Sequence, residues 1–365
     1  MQGRKNIVFR VDAASHIGTG HLQRCLTLAK ELRNLKYNIK FIMSPFDRVF
    51  TDLVESENFK VLLLTGIDSN NIDINDSRQW LGRSQVADAN ECISLLSDIE
   101  IFCFIVDHYS IDIEWETIIK TKVSSIVVID DLANRLHTCD LLLDQNYWSN
   151  YLTRYNGIVD ESCIKLLGPN YCLLRDEFRT LRNEVSAEKT VNTEKILINF
   201  GGVGDYDLLN KFFSVLPYFT EKYEFIVVTG KLDQQKFNML RDSSNSSRII
   251  IMETTKNMAE LMLESSYAFG ACGSTVWERF CLGLNSSLIE VASNQSELLK
   301  FLSDKDLVHC LGDSISVSNK TIYNFINDLE LHLPIYKDRK QKMMSLVDGN
   351  GVKRVAQKIK GLENV

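Results

Sequence analysis

The chain has 365 residues, of which 45% are hydrophobic and 24% are charged, and its formal net charge is −7. This length and composition fit a globular protein with two ordinary domain cores and exclude a disordered chain. The negative charge argues against nucleic acid as a partner. No stretch approaches the roughly 20 apolar residues of a membrane span, so we expect a cytoplasmic protein.

The first half of the chain predicts a parallel sheet. Short apolar runs alternate with amphipathic stretches, which is typical of repeated strand-helix units. The runs cover residues 7–11, 39–43, 61–64, 101–106, 126–129 and 141–143. A polar stretch at 182–190 lacks apolar periodicity and is typical of a linker.

The pattern of strands then restarts. Predicted strands cover 196–200, 225–228, 249–252, 267–270 and 288–291, with helices such as 207–216 and 274–282 between them. The predicted fold class is therefore α/β, with two doubly wound Rossmann-like domains facing each other across a cleft. We expect domains at 1–185 and 190–348, and a charged helix at 349–365 that packs back on the first domain.

His21 is the main catalytic candidate. It follows the first predicted strand and Gly18 and Gly20, and helical spacing after it places it in a first helical turn. The positive dipole end there favours a neutral imidazole that can accept a proton, while the glycines let backbone approach a ligand. A helix cap or a packed surface group is the alternative. Gln23 replaces the third glycine of a dinucleotide fingerprint, so no NAD cofactor is predicted.

Arg10 and Asp12 alternate with apolar residues and project from one face of the first strand near its carboxyl end. Open α/β sheets bind ligands at that edge, so both are candidates for the site. A structural ion pair is the alternative interpretation.

Further polar residues end the next strands, namely Asp107, His108, Tyr109, Asp130 and Asp131. Tyr109 is the one best placed to contact a substrate. Carboxylates beside a histidine raise the hypothesis of a metal site, but the ligand spacing of a metal site is lacking. Hydrogen bonding to backbone amides is the role we favour for Asp107 and Asp130. The nine cysteines contain no Cys-x-x-Cys pair and indicate neither zinc nor a disulfide framework.

The second half contains two candidate phosphate sites. The Gly201-Gly202 turn follows a predicted strand but lacks the lysine of a P-loop. The stronger candidate is the small-residue turn Gly273-Ser274-Thr275, where Ser274 can cap a helix whose amides bind an anion.

Three further residues of the second half are of interest. Glu278 lies one turn into the predicted helix, where it can accept hydrogen bonds from a ribose or form a salt bridge. Asn294 and Gln295 follow the next strand. Trp277 is predicted to be a core residue.

Taken together, these motifs resemble one family. They are Arg10-x-Asp12, Ile17-Gly18-Thr19-Gly20-His21-x-x-Arg24-Cys25, Asp107-His108-Tyr109, Ile129-Asp130-Asp131, Cys139-Asp140-Leu141, Leu167-Gly168-Pro169, Leu173-Leu174-Arg175 and Gly273-Ser274-Thr275-x-Trp277-Glu278. Their order over nearly the whole chain resembles the UDP-2,4-diacetamido-2,4,6-trideoxy-beta-L-altropyranose hydrolases of pseudaminic acid biosynthesis. The sequence departs from the family at Val203-Gly204-Asp205 and at Cys272.

The resemblance implies a GT-B fold, UDP binding by the second domain, and hydrolysis with inversion by water that His21 activates. It matches Glu278 to a ribose-binding residue, Asn294 to a polar active-site residue and Tyr109 to a substrate-facing tyrosine, and it implies no metal or other cofactor. The expected catalytic residues are His21, Asp12, Tyr109 and Asn294. The expected substrate-binding residues are Arg10, Gly18, Gly20, Arg24, Gly201, Gly202, Gly273, Ser274, Thr275, Glu278 and Gln295.

Two alternatives stay open at this point. A glycosyltransferase with a UDP-sugar donor would use the same fold and the same nucleotide site. A nucleotide-sugar binding protein would keep the site without turnover. The expected partner is a UDP-sugar, with neither nucleic acid nor a membrane span. Oligomeric state is open, with a monomer favoured.

Overall fold

The computed structural model describes residues 4–67, 72–73, 76–185, 194–244 and 246–364. The chain divides into two compact units. The first comprises Met1–Asn146, Asn150–Leu173 and Asn350–Val365, and the second comprises Tyr147–Ser149 and Leu174–Gly349. The chain passes from the first unit to the second between residues 173 and 174, whereas the sequence analysis expects the first domain to end at residue 185. Of the predicted linker at 182–190, residues 186–190 lie outside the described residues.

Strands and helices alternate along both units. The strands are β1 Asn6–Val11, β2 Asn38–Met43, β3 Lys60–Leu63, β4 Ile101–Asp107, β5 Val123–Ile129, β6 Leu141–Asp144, β7 Ile164–Leu167, β8 Lys195–Asn199, β9 Glu224–Val228, β10 Ile249–Met252, β11 Tyr267–Ala271, β12 Ser286–Glu290 and β13 His309–Asp313. The helices are α1 Gly20–Asn34, α2 Arg48–Ser56, α3 Gln85–Leu95, α4 Ile113–Ile119, α5 Asp176–Arg182, α6 Tyr206–Phe213, α7 Gln234–Ser243, α8 Met258–Glu264, α9 Thr275–Leu282, α10 Ser296–Asp304, α11 Asn319–Asn327, α12 Leu333–Leu346 and α13 Gly351–Gly361.

The first unit is built on a parallel sheet with strand order β3-β2-β1-β4-β5-β6-β7. Strand β1 pairs with β2 and β4, and Phe9 lies opposite Phe41 and Ile105. Side chains of this strand are buried on both faces, which explains why its sequence is mostly apolar. One face packs on α1 and the other packs on α3 and α4.

Helix α13 packs on α1 within this first unit. Its apolar side chains Val355 and Ile359 join the core that α1 and β1 share. The helix approaches backbone closely at its first residue, because a Cβ on Gly351 would lie 2.2 Å from the carbonyl oxygen of Cys172. Only glycine fits that contact without a backbone shift.

The second unit is built on a parallel sheet with strand order β10-β9-β8-β11-β12-β13. The Arg279 guanidinium from α9 is buried against β11, where it donates to the carbonyl oxygens of Ala271 and Asn199. A Cβ on Gly270 would lie 2.0 Å from Nη2 of Arg279, so the small residue in β11 makes room for this side chain. Trp277 is 1% exposed, which confirms its predicted place in the core.

Every apolar run that predicts a strand overlaps an observed strand, so the α/β prediction is confirmed. Strands β7 and β13 were not predicted. Both have broken apolar patterns, because Lys165 divides β7 and the apolar run of β13 is limited to Cys310 and Leu311. No helix among the described residues is long and apolar enough to cross a membrane.

Candidate active site

A first group of candidate residues lies in the first unit, at the carboxyl edge of its sheet. Because β1, β4 and β5 are neighbours, the segments that follow them meet at one edge. His21 comes from the first turn of α1, Asp107 ends β4, and Asp131 follows β5. Residues far apart in the chain therefore lie side by side.

His21 is held by a carboxylate. Its Nδ1 atom lies 2.5 Å from Oδ1 of Asp107, which is buried. The imidazole is 9% exposed, and among the described residues no hydrogen-bond partner is found for its Nε2 atom. When Nδ1 donates its proton to Asp107, the lone pair on Nε2 is available to accept a proton.

Arg24 stabilises the charge on Asp107. Its Nε and Nη2 atoms donate to the two carboxylate oxygens at 2.6 and 2.7 Å, and Nη1 donates to Asp131 at 3.0 Å. Burial opposes ionisation of Asp107, but the charge of Arg24 and the contact with His21 outweigh it and hold the pKa of this carboxyl well below its usual range. Asp107 is therefore an ionised acceptor for His21.

The favoured sequence interpretation of Asp107 was wrong. It predicted hydrogen bonds to backbone amides, whereas the side chain accepts from His21 and Arg24. Asp130 does bond to an amide, accepting from the N–H of Ala133 at 2.8 Å. The pairing of Asp107 depends on β1 and β4 being neighbours, which strand patterns do not reveal.

Tyr109 packs its ring edge-on against the His21 imidazole, with ring centroids 4.6 Å apart. The side chain is buried, and burial together with the nearby charge of Asp131 raises the pKa of its hydroxyl well above the usual value. The phenol therefore stays protonated at neutral pH and is a hydrogen-bond donor.

Arg10 and Asp12 form a buried ion pair, with Nη1 of Arg10 2.7 Å from Oδ1 of Asp12. Asp12 also accepts from the N–H and hydroxyl of Ser44. Arg10 donates to both carboxylate oxygens of Asp88 on α3, at 3.1 and 2.9 Å. Both members of the pair are at most 1% exposed, a geometry that fits the alternative interpretation as a structural pair.

The glycines before His21 shape the loop between β1 and α1. Gly18 has a φ of +83°, and its N–H donates to the carbonyl oxygen of Ala14 at 2.8 Å. That φ favours glycine, because other side chains are strained in this region. Gly20 begins α1, directly before His21.

A second group of candidate residues lies in the second unit, at the carboxyl edge of its sheet, where β8, β11 and β12 are neighbours. Gly201 follows β8 with a φ of +121°, and the carbonyl oxygen of Gly202 accepts from the N–H of Lys231. A cavity of about 520 Å³ adjoins this turn and is lined by Phe200, Val203, Gly204 and Lys231 among others, but not by Ser274, Thr275 or Glu278.

The turn after β11 places Ser274 at the start of α9, exposed and in helical backbone conformation. The predicted capping role is wrong, because the Ser274 side chain makes no capping hydrogen bond. The first amides of α9 are thus left without that side-chain acceptor, as an anion site requires. Thr275 accepts from Arg279 at 3.1 Å, and a Cβ on Gly273 would meet nothing within 4 Å.

Glu278 is partly buried and pairs with Arg175, with Oε1 3.3 Å from Nη2. Burial raises the pKa of the Glu278 carboxyl, and the positive charge of Arg175 opposes that rise. Asn294 is exposed in a 3-10 turn after β12. The side-chain oxygen of Gln295 accepts from the N–H of Val291, which ties that turn to the strand.

Among the described residues, no group of three or more His, Cys, Asp or Glu side chains is arranged to hold a metal ion.

Known proteins resemble this chain in sequence and in fold. No family model matches it. The UDP-2,4-diacetamido-2,4,6-trideoxy-beta-L-altropyranose hydrolase of Campylobacter jejuni is 26% identical over 299 residues, which cover 82% of this chain and 96% of the relative. This similarity confirms the predicted family resemblance. An uncharacterised protein of Methanocaldococcus jannaschii is 25% identical over 76% of the chain, and the match spans 54%, about half, of that protein's length.

Solved structures show the same architecture. MurG of Acinetobacter baumannii superposes with a TM-score of 0.67 at 13% identity, covering 98% of this chain and 99% of that one. The UDP-GlcNAc 2-epimerase of Neisseria meningitidis, bound to UDP-GlcNAc, superposes with a TM-score of 0.60 at 12% identity, covering 98% and 100%. The chain has the predicted two-domain GT-B fold.

Proposed function

We propose that this protein hydrolyses UDP-2,4-diacetamido-2,4,6-trideoxy-beta-L-altropyranose to UDP and the free sugar. The observation that carries the proposal is the contact between His21 and Asp107, which leaves Nε2 of His21 able to accept a proton. The similarity to the Campylobacter hydrolase over 96% of that protein supports the choice of substrate.

In the proposed reaction His21 is the general base. Its Nε2 takes a proton from water as the water oxygen attacks the anomeric carbon, and the C–O bond to UDP breaks with its electrons moving to the diphosphate oxygen. A single displacement inverts the anomeric configuration. Asp107 keeps the imidazole oriented and stabilises the positive charge that it acquires.

The second unit would bind the leaving group. Amides at the start of α9, around Ser274 and Thr275, and the backbone of Gly201 and Gly202 would stabilise the charge developing on UDP. A diphosphate leaves readily without protonation, so the paired carboxylates of ordinary glycosidases are not required. We therefore expect turnover without a metal ion.

The remaining predicted residues either contact the substrate or position other residues in this proposal. Tyr109 contacts the sugar beside His21, and Glu278 accepts from the ribose hydroxyls. Asn294 and Gln295 contact the substrate from the turn after β12. Gly18, Gly20 and Gly273 let backbone approach it. Arg10, Asp12 and Arg24 position the residues around His21.

The second candidate is a glycosyltransferase that uses the same donor with an acceptor hydroxyl in place of water. It is kept because the same fold and nucleotide site serve an acceptor hydroxyl as readily as water. The two candidates differ in whether the UDP-sugar is consumed when water is the sole acceptor.

Proton NMR of the purified protein with the UDP-sugar, with EDTA and without acceptor, tests the proposal. We expect free UDP and free sugar to appear together, with the opposite anomer formed first. The same preparation carrying His21→Ala is the control for a contaminating hydrolase. An intact UDP-sugar after long incubation would overturn the hydrolase, and turnover that requires an added acceptor would establish the transferase.

A further inference from the structure

A row of aromatic rings leads away from His21 in the first unit. Its members are His21, Tyr109, Trp80 and His16, and we call it the aromatic row. The centroid of Tyr109 lies 4.6 Å from that of His21 and 5.8 Å from that of Trp80. The Trp80 ring lies 5.9 Å from that of His16, which packs edge-on against it. Trp80 and His16 are absent from the predicted site.

The segment that carries Trp80 is tied to the loop that carries Tyr109. The N–H of Leu81 donates to the hydroxyl oxygen of Ser110 at 3.1 Å, and that hydroxyl donates to the carbonyl oxygen of Ser77 at 2.7 Å. Ser110 directly follows Tyr109 in the chain. The two bonds hold Trp80 at a defined place beside Tyr109, and its side chain is partly exposed.

A partly exposed indole beside Tyr109, whose ring in turn packs against His21, is suited to an apolar sugar. Aromatic faces contact C–H groups favourably, and binding sites for small molecules combine aromatic walls with few polar groups. A 6-deoxy sugar with two acetamido groups presents three methyl groups in place of hydroxyls. His16 adds one polar atom to the row, because its Nε2 is buried and has no hydrogen-bond partner among the described residues.

We propose that Trp80 is a specificity-determining residue that packs on the methyl-bearing face of the sugar while His21 acts at the anomeric carbon. The inference rests on the proposed function. The inference goes beyond the proposed function because it assigns the sugar contact to a residue that the sequence motifs do not include. Trp80 contacts the sugar and not the nucleotide, so sugar and UDP affinities should respond differently to its replacement.

Tryptophan fluorescence can report a ligand that contacts Trp80. The other three tryptophans, Trp115, Trp148 and Trp277, are at most 4% exposed. Free 2,4-diacetamido-2,4,6-trideoxy-L-altrose is expected to change the emission of the wild-type protein in a saturable manner. Trp80→Phe is expected to abolish the change, whereas the matched variant Trp148→Phe keeps it.

Steady-state kinetics give the second readout. Because aromatic contacts contribute modest free energies, Trp80→Ala is expected to raise KM for the UDP-sugar about tenfold. The kcat and the Kd of UDP should stay within about twofold, since neither His21 nor the nucleotide site is altered. Circular dichroism at the assay temperature checks that the variant is folded.

The outcomes separate this inference from the proposed function. The role of Trp80 alone would be overturned by three results together. The wild-type protein hydrolyses the substrate, its fluorescence does not change with the sugar, and Trp80→Ala leaves KM unchanged. A saturable, Trp80-dependent response to the sugar in a protein that lacks hydrolysis would support the contact and reject the hydrolase. Loss of UDP affinity in Trp80→Ala would also overturn the inference, because it would place Trp80 at the nucleotide.

Discussion

Nδ1 of His21 lies 2.5 Å from a carboxylate oxygen of Asp107, although 86 residues separate them in the chain. The buried Asp107 is kept ionised by Arg24, so the imidazole is oriented by a charge that does not titrate near neutral pH. The proposed chemistry depends on this relationship, and the first two predictions test it.

Replacing His21 by Ala is expected to lower kcat about 100-fold or more, because the general base is lost. The Kd of UDP, measured by calorimetry, should change little, since the proposed nucleotide residues are in the second unit. His309→Gln, which removes an imidazole from the edge strand β13, serves as control. An unaltered kcat in His21→Ala would exclude this residue from the mechanism.

Asp107→Asn keeps the size of the side chain but removes its charge. We expect kcat to fall about 10- to 1000-fold, because an amide holds the imidazole less well in the orientation and tautomer that leave Nε2 free. Single-turnover rates measure the effect, and the exposed Asp98→Asn is the matched control. If Asp107→Asn turned over at the wild-type rate, the pair would be structural.

Arg10→Met is expected to destabilise the protein rather than its complex with substrate. The change leaves Asp12 and Asp88 buried without their cation, which costs about 3–5 kcal/mol of unfolding free energy. Urea unfolding measures this loss, with the exposed Arg4→Met as control. A normal unfolding free energy combined with a raised KM would instead show that Arg10 contacts substrate.

UDP affinity is expected to weaken on acidification through Glu278. Burial raises the pKa of this carboxyl, so it becomes protonated at a higher pH than the roughly 4.3 of an ordinary glutamate. Below that pKa the ribose loses a charged acceptor, and the Kd of UDP increases. Calorimetry from about pH 4 to 8 tests this, and Glu278→Gln is the control for the ionisation of UDP itself. Identical pH profiles for the two proteins would contradict the assignment.

Alanine substitutions in the two glycine turns of the second unit are expected to affect different properties, stability at Gly201 and UDP binding at Gly273. Gly201→Ala places a side chain at a φ of +121° and is expected to cost about 1–3 kcal/mol of stability. A Cβ on Gly273 meets nothing within 4 Å, so Gly273→Ala should fold normally and weaken UDP binding only. Thermal unfolding and calorimetry on both variants decide this. Equal stability losses would show that Gly273 is also conformationally restricted.

Much of the fold was readable from the sequence because buried parallel strands are continuous apolar runs. Strands β7 and β13 were missed because Lys165 interrupts the first and His309 and Asp313 leave only a short apolar run in the second. Alternation predicted that Arg10 and Asp12 project from one face of the first strand; Asp12 follows β1, and the two side chains form an ion pair. The alternation of residues in the strand does not reveal that Asp88 of α3 forms an ion pair with the buried Arg10.

The sequence by itself determined the strand-helix order, the place of His21 in the first turn of α1 and the family resemblance. These follow from local periodicity and from motifs contiguous in the chain. The tertiary structure decided which charges meet. Asp107 faces His21, and Trp80 faces Tyr109, because strand order and a loop tied to Ser110 bring distant segments together. Such contacts depend on packing between elements, which local spacing does not encode.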